Sequence, residues 1–197
     1  MILGGGTHWR KLDPTDPRLV ELVTLLDQAE DFIEQTVPDI RTRVYWGVSG
    51  DTVGNKYLND IGHGLPVSYQ DIITHLPRLK ELMVELDLIE YIGRNIQANW
   101  GIHRHHASSK HHWNICILGA GNNNASLNFH HVDGSTNEYS DVPVYDHLTH
   151  DARIIETVPV KEGDIFSLNT WQWHSHTTPE TGRVETFLLH FNTKIDL

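Results

Sequence analysis

Fifteen histidines in 197 residues, as many as Lys and Arg together, mark where chemistry could sit in this chain. They run from His8 to His190, so they are not a terminal tag, and nine fall between His103 and His150. Imidazole is the commonest side-chain ligand for divalent iron, copper, nickel and zinc. On an extended strand, residues i and i+2 share a face. His103 and His105, within Ile102-His103-Arg104-His105, can therefore point into one barrel mouth. His174 and His176 repeat the pattern about seventy residues later, and Arg183 opens the strand expected next. Two ligands on one strand leave most of a metal ion open, so a third must come from another strand.

Blander readings stand beside this one. A chain this rich in histidine shows H-x-H pairs by composition alone. His106, His111, His112, His147 and His150 read as loop or surface residues, Trp171 and Trp173 as packing at a barrel rim, and Arg183 as a surface strand residue. Cys116 lies in an apolar run and reads as a small core hydrophobe. A second candidate pair, His131-Val132-Asp133, lies 43 residues before His174. It follows a strand instead of preceding one, and it leaves few residues for the strands in between.

The elements that must position these residues change type along the chain. Asp16-Pro17 reads as an N-cap with proline in the first turn. Leu19, Leu22, Val23, Leu26, Ala29 and Ile33 then recur at helical spacing up to Val37-Pro38. Ser68-Tyr69-Gln70-Asp71 resembles a capping box, and Pro77 divides a short helix from a longer one reaching about Asp87. Between the helical regions, Arg43 to Val48 reads as a strand and Asp51 to Pro66 as a loop. From Ile89 onward the chain reads as short strands: 89–98, 113–118, 126–131, 153–160, 164–168 and 183–191. Turn clusters at Gly119–Asn124 and Lys161–Asp164 separate some of them. Many short strands between such turns predict an all-β sandwich or barrel, not alternating βα units. We expect a single domain over 1–197. Residues 1–88 would be a helical supporting region with one strand, and residues 89–197 the β core.

Composition bounds the function. The hydrophobic share of 39% and charged share of 21% suit a folded globular chain. One cysteine excludes a disulfide scaffold and any multi-cysteine metal site. A formal charge of -11 argues against tracking nucleic-acid phosphates. The start lacks the basic region and apolar run of a signal peptide, and the most apolar later stretch is broken by Lys80, Glu81, Glu85, Asp87 and Glu90. The expectation is a cytoplasmic protein with no membrane partner, and the oligomeric state stays open.

The order of these features resembles the double-stranded β-helix, a cupin-type jelly roll, of the iron(II)- and 2-oxoglutarate-dependent oxygenases. Its shape is nearest the aspartyl/asparaginyl β-hydroxylase-like and prolyl-hydroxylase-like members. The resemblance covers roughly residues 95 to 192. That family carries an H-x-D/E pair early in the jelly roll, a distal histidine near its end, and an arginine about ten residues further on. Here His103 and His105 match the first motif, with His105 in the acid's place. His174 matches the distal histidine, and Arg183 follows nine positions later. Asn114-Ile115-Cys116-Ile117-Leu118 resembles the strand after the first motif, with Asn114 as the polar residue facing the site.

The resemblance implies an Fe(II) centre held by His103 and His174, with His105 as candidate third ligand. It implies 2-oxoglutarate as cosubstrate, contacted by Arg183 and Asn114, and O2 as oxidant, hydroxylating a small molecule or peptide side chain. The usual iron site has two histidines and one carboxylate, and His105 departs from it. Two other readings are kept: a 2-oxoglutarate-independent cupin-type dioxygenase with a three-His metal site, and a non-catalytic jelly-roll binding or structural protein.

Overall fold

The structure, a computed structural model, describes residues 2–43, 45–50, 65–95, 100–105, 113–132, 145–147, 152–178 and 185–191. The chain opens with a hairpin of β1 (Ile2–Gly5) and β2 (Trp9–Leu12). Helix α1 (Pro17–Glu34) starts where the sequence places it, with the Asp16 side chain accepting from the Arg18 amide and Pro17 in the first turn. It buries Leu19, Leu22, Leu25, Leu26, Ala29 and Ile33. A single turn, Ile40–Thr42, leads to β3 (Tyr45–Ser49). Helix α2 (Tyr69–His75) begins at a full capping box between Ser68 and Asp71. Helix α3 (Pro77–Glu85) follows immediately, because Pro77 cannot extend α2 yet suits a first turn.

The rest is β structure: β4 (Tyr91–Asn95), β5 (Trp100–His105), β6 (Trp113–Leu118), β7 (Ala125–His131), β8 (Tyr145–His147), β9 (Arg153–Val160), β10 (Ile165–Asn169), β11 (His174–Thr177) and β12 (Thr186–His190). Two antiparallel sheets face each other. The larger runs β1-β2-β10-β6-β12-β4-β3 and the smaller β8-β5-β11-β7-β9. From β4 to β7 successive strands alternate between the sheets, and β10, β11 and β12 alternate again. Distant segments therefore become neighbours, the arrangement of a jelly roll. The expected cupin-type fold is what the strand order shows.

The large sheet has two buried faces. One carries the helices, which pack against Ile115, Ile117, Ile165, Phe187 and Leu189. The other closes on the small sheet around Cys116, Leu118, Leu127, Phe129, Phe166, Leu168 and Leu188. A buried charge cluster joins helix to sheet. Arg94 of β4 pairs with Glu30 of α1 and, at 2.8 Å, with Glu185. Arg41 reaches the other Glu30 oxygen at 2.7 Å. Burial pushes the Glu30 pKa upward against the pull of the two arginines.

Several expectations are corrected. Among the described residues, 1–88 hold three strands, not one, since β1 and β2 precede α1 and all three join the large sheet. That sheet thus crosses the expected boundary at residue 88. The Gly4-Gly5-Gly6 run gave no strand signal because glycine carries no side-chain pattern. β8 lacked a signal because three residues are too short for periodicity. The segment 161–164 does turn, with Gly163 at φ +83°, a conformation open to glycine. The Asp164 side chain there accepts from the Lys161 amide. The expected loop over 51–66 lies almost wholly outside the described residues.

Candidate active site

The cross-strand register builds the site. On the small sheet, Glu156 of β9 stands opposite Phe129 of β7, Phe129 opposite His174 of β11, and His174 opposite His103 of β5. Directly opposed residues of an antiparallel pair share a face. Phe129 belongs to the core between the sheets, so His103 and His174 face that interior as well. On the large sheet, Trp9 stands opposite Leu168, Leu168 opposite Asn114, and Asn114 opposite His190. Asn114 shares the face of Cys116 and Leu118, which line the same interior. The Trp9 indole Nε1 donates to the Glu156 carboxylate across the gap, at 2.7 Å. The two rows therefore face each other at one end of the sandwich. Below them the interior is apolar.

The two imidazoles are close. Their ring centroids are 4.4 Å apart with planes at 53°, and His103 and His174 are 8% and 2% exposed. His174 Nδ1 lies 2.7 Å from the Gln172 carbonyl oxygen. A carbonyl only accepts, so Nδ1 carries the proton and Nε2 the lone pair, the tautomer that a metal ligand needs. Burial first, then the neighbouring His103 and His130, push the His174 pKa down to about 3. The imidazole is neutral at any ordinary pH, as coordination requires.

Asn114 is fully buried, yet neither its amide oxygen nor its amide nitrogen has a hydrogen-bond partner. A donor and an acceptor held dry and unmet inside a protein cost free energy and call for a partner from outside the chain. Two imidazoles side by side, with an unmet amide in the facing row, suit a divalent transition metal and a polar organic ligand. The site residues thus fit the Fe(II) and 2-oxoglutarate that the sequence resemblance implies.

Neighbouring side chains hold the pair in place. Arg104, between His103 and His105, lies over Trp171 and Trp173, its guanidinium carbon 5.2 and 4.8 Å from their ring centroids. All three are buried. This clamp ties β5 to the turn that launches β11. His176 also points inward, but Asn122 holds its Nε2 at 2.9 Å, and Asn122 in turn donates to the Gly119 and Glu185 carbonyls. His176 is a strut, not part of the pair. His130 follows the β7–β9 register shift after Phe129, and its Nε2 lies 2.8 Å from Ser175 Oγ.

Of the expected site residues, His103, His174 and Asn114 come to the same end of the interior. His105 lies on β5 at the following same-face position, and its side chain is outside the described set. Arg183 and Asp133 lie outside the described residues, and His131 is exposed at the end of β7. The sequence reading missed the Gln172 carbonyl, which no residue pattern announces. It also missed Trp9, brought to the mouth by the N-terminal hairpin. His8 beside it carried a readable signal, a histidine before a short alternating strand. Its ring lies 5.8 Å from that of Phe129.

No protein-family model matches the chain, and no curated protein matches it in sequence. Among solved structures, AviO1 from Streptomyces viridochromogenes Tue57 aligns over 93% of this chain and 88% of its own, at 16% identity and a TM-score of 0.41. A Pseudomonas putida prolyl-4-hydroxylase aligns over 83% of this chain and 95% of its own, at 11% identity and a TM-score of 0.28. A vicilin from Capsicum annuum aligns over 60% of this chain at 10% identity and a TM-score of 0.33, and the chain spans only 27% of that vicilin. The chain is a cupin-type jelly-roll protein by its own strand order. Among the described residues, no helix is long and apolar enough to cross a membrane.

Proposed function

We propose that this chain is an iron(II)- and 2-oxoglutarate-dependent oxygenase that hydroxylates a small molecule or a peptide side chain. The observation that carries the reading is the direct pairing of His103 with His174 across two strands that lie 71 positions apart in sequence. An iron(II) ion held by this pair would couple decarboxylation of the cosubstrate to oxidation of a C–H bond by O2. The chain's own residues do the rest. His103 and His174 offer two imidazole nitrogens from the small sheet. Gln172 keeps the His174 lone pair on Nε2. Asn114 offers an amide donor and acceptor from the facing row, with which it would orient a carboxylate or carbonyl of the cosubstrate. Arg183, nine positions past His174, would pair with the far carboxylate, for which its planar fork is suited. The apolar interior around Phe129, Leu168 and Leu188 excludes water below the site.

The test is oxygen uptake by Fe(II)-loaded protein with and without 2-oxoglutarate, alongside calorimetric metal titration. The expected result is one Fe(II) per chain and succinate formed only when metal and cosubstrate are both present. Both should be lost in His103→Ala and His174→Ala. Stoichiometric metal binding with no affinity for 2-oxoglutarate would replace this reading with a three-His dioxygenase. No metal binding would leave a jelly-roll binding protein.

A further inference from the structure

We infer that His8 and Glu156 form a substrate-binding wall at the end of the interior that holds the His103–His174 pair, and that this wall takes an uncharged, hydroxyl-bearing molecule. The inference rests on the reading of this interior as a substrate site and names the substrate class. His8 comes from the turn of the N-terminal hairpin. Its carbonyl accepts from the Asn169 amide at 2.8 Å, one step beyond the Trp9–Leu168 pair. The chain bends there, and the imidazole reaches the small sheet, its ring 5.8 Å from that of Phe129. Phe129 stands between Glu156 and His174 in its cross-strand row. It is one strand from each, so the His8 ring belongs to the same end of the interior as both.

Two observations point to an outside ligand. His8 Nδ1 is buried and has no hydrogen-bond partner, and a buried polar atom left unmet calls for one. Near it is a carboxylate held in one orientation, since Glu156 Oε1 accepts from the Trp9 indole at 2.7 Å. Gly6 makes room for that contact: a Cβ there would come within 2.5 Å of Oε1 and 2.6 Å of the indole nitrogen. Burial holds the His8 pKa below the usual histidine range, against the pull of Glu156, so the imidazole is neutral at neutral pH. The wall is thus one carboxylate and one uncharged imidazole. A hydroxyl both donates and accepts, so it meets Nδ1 in either tautomer and can also donate to the carboxylate. An ammonium only donates and meets Nδ1 in one tautomer alone, and an ionised acid is repelled by Glu156. Asn114, the other unmet group, stands two strands from Trp9 in the facing row, a backbone separation of about 9.6 Å. That is far enough for the two unmet groups to meet different ligand atoms.

Three probes of one shape separate these classes: cyclohexanol, cyclohexylamine and cyclohexanecarboxylate. Each is titrated into full-length, metal-free protein with isotope-labelled imidazole nitrogens. Nuclear magnetic resonance follows the His8 nitrogens, and the probe's own resonances give its affinity. Cyclohexanol should shift the His8 Nδ1 resonance and bind more tightly than the other two. His8→Leu should weaken it by about tenfold, the worth of one hydrogen bond. His8→Asn, whose side-chain amide returns a polar atom to the place of Nδ1, should stay within about threefold of wild type. Glu156→Gln should narrow the preference over the carboxylate. If His8→Leu does not fold, the Nδ1 shift in wild type and the affinity of His8→Asn decide the matter. An unmoved Nδ1 resonance, equal affinity in His8→Leu, or a preference for the amine or the carboxylate would overturn the proposal. Fe(II) titration of the same protein separates this outcome from the oxygenase reading: absence of a bound ion would remove that reading and leave the hydroxyl site to the cyclohexanol result.

Discussion

Replacing Asn114 with leucine should make the protein more stable and less able to bind its ligand. The amide is fully buried, and both of its polar atoms lack partners. An amide held dry without a hydrogen bond costs about 1–3 kcal/mol in proteins. Leucine has a similar shape, removes both unmet atoms, and adds apolar contact with Leu168, its cross-strand neighbour. The expected gain is therefore about 1–3 kcal/mol. For a chain of this size, 1 kcal/mol moves Tm by roughly 2–4 °C, so the metal-free variant should melt about 2–12 °C higher. Calorimetric melting measures this, and urea unfolding at unchanged m checks that the folded state is the same. In the metal-loaded protein the same variant should lose measurable affinity for 2-oxoglutarate. A site that stores an unmet group for its ligand trades stability for function. A lower Tm in Asn114→Leu would refute the reasoning, because the amide would then be satisfied in the native protein.

Acid should destabilise the metal-free protein early. His174, His8 and His130 all have pKa values lowered by burial, so between those values and about 6.5 the unfolded chain binds more protons than the folded one. Stability is therefore full above about pH 6.5 and falls as pH drops below it, by at most about 1.4 kcal/mol per pH unit for each histidine. Urea midpoints across pH 7.5 to 5 that do not move would contradict this sign. Arg94→Ala should leave Glu30 buried with Arg41 as its remaining cationic partner, at a cost of about 3–5 kcal/mol. A loss below about 1 kcal/mol in urea unfolding would mean that the pair is exposed to solvent in solution.

Much of the fold was legible because local signals agreed with it. Helices α1, α2 and α3 begin at Asp16-Pro17, Ser68 and Pro77, where capping chemistry is local to a few residues. β6 and β9 match their expected bounds to the residue, since uninterrupted apolar or alternating runs mark them. The two sheets and their order were legible only as a class. The N-terminal hairpin was not visible at all: Gly4, Gly5 and Gly6 have no pattern, and β2 is placed by pairing with β10, where Leu12 stands opposite Ile165. For the site, H-x-H spacing pointed correctly at His103 and His174 as residues of one interior. It pointed equally at His176, which the structure gives to Asn122. Nothing in the sequence separates two histidines two apart on one strand when both face inward. Their roles are set by what stands across from them, a tertiary fact.

That distinction turns on one irregularity. His174 stands opposite His103, and an even register would then set His176 against Gly101. The ladder instead shifts, and His176 faces Trp100. The extra residue on β5 bends that strand locally. β11 keeps its even register with β7, where His176 faces Leu127, so the irregularity falls on the strand that carries His103. The first level of the interior thus receives the His103–His174 pair. The next receives His176, already bound to Asn122, above a core of Leu127, Val158, Phe166 and Leu188. A slip of one residue between β5 and β11 would set Arg104 or Ile102 against His174, because side chains alternate faces. The Arg104 clamp on Trp171 and Trp173 opposes that slip from the outside of the same sheet. The pairing of the two imidazoles therefore depends on a bulge and a cation–aromatic clamp.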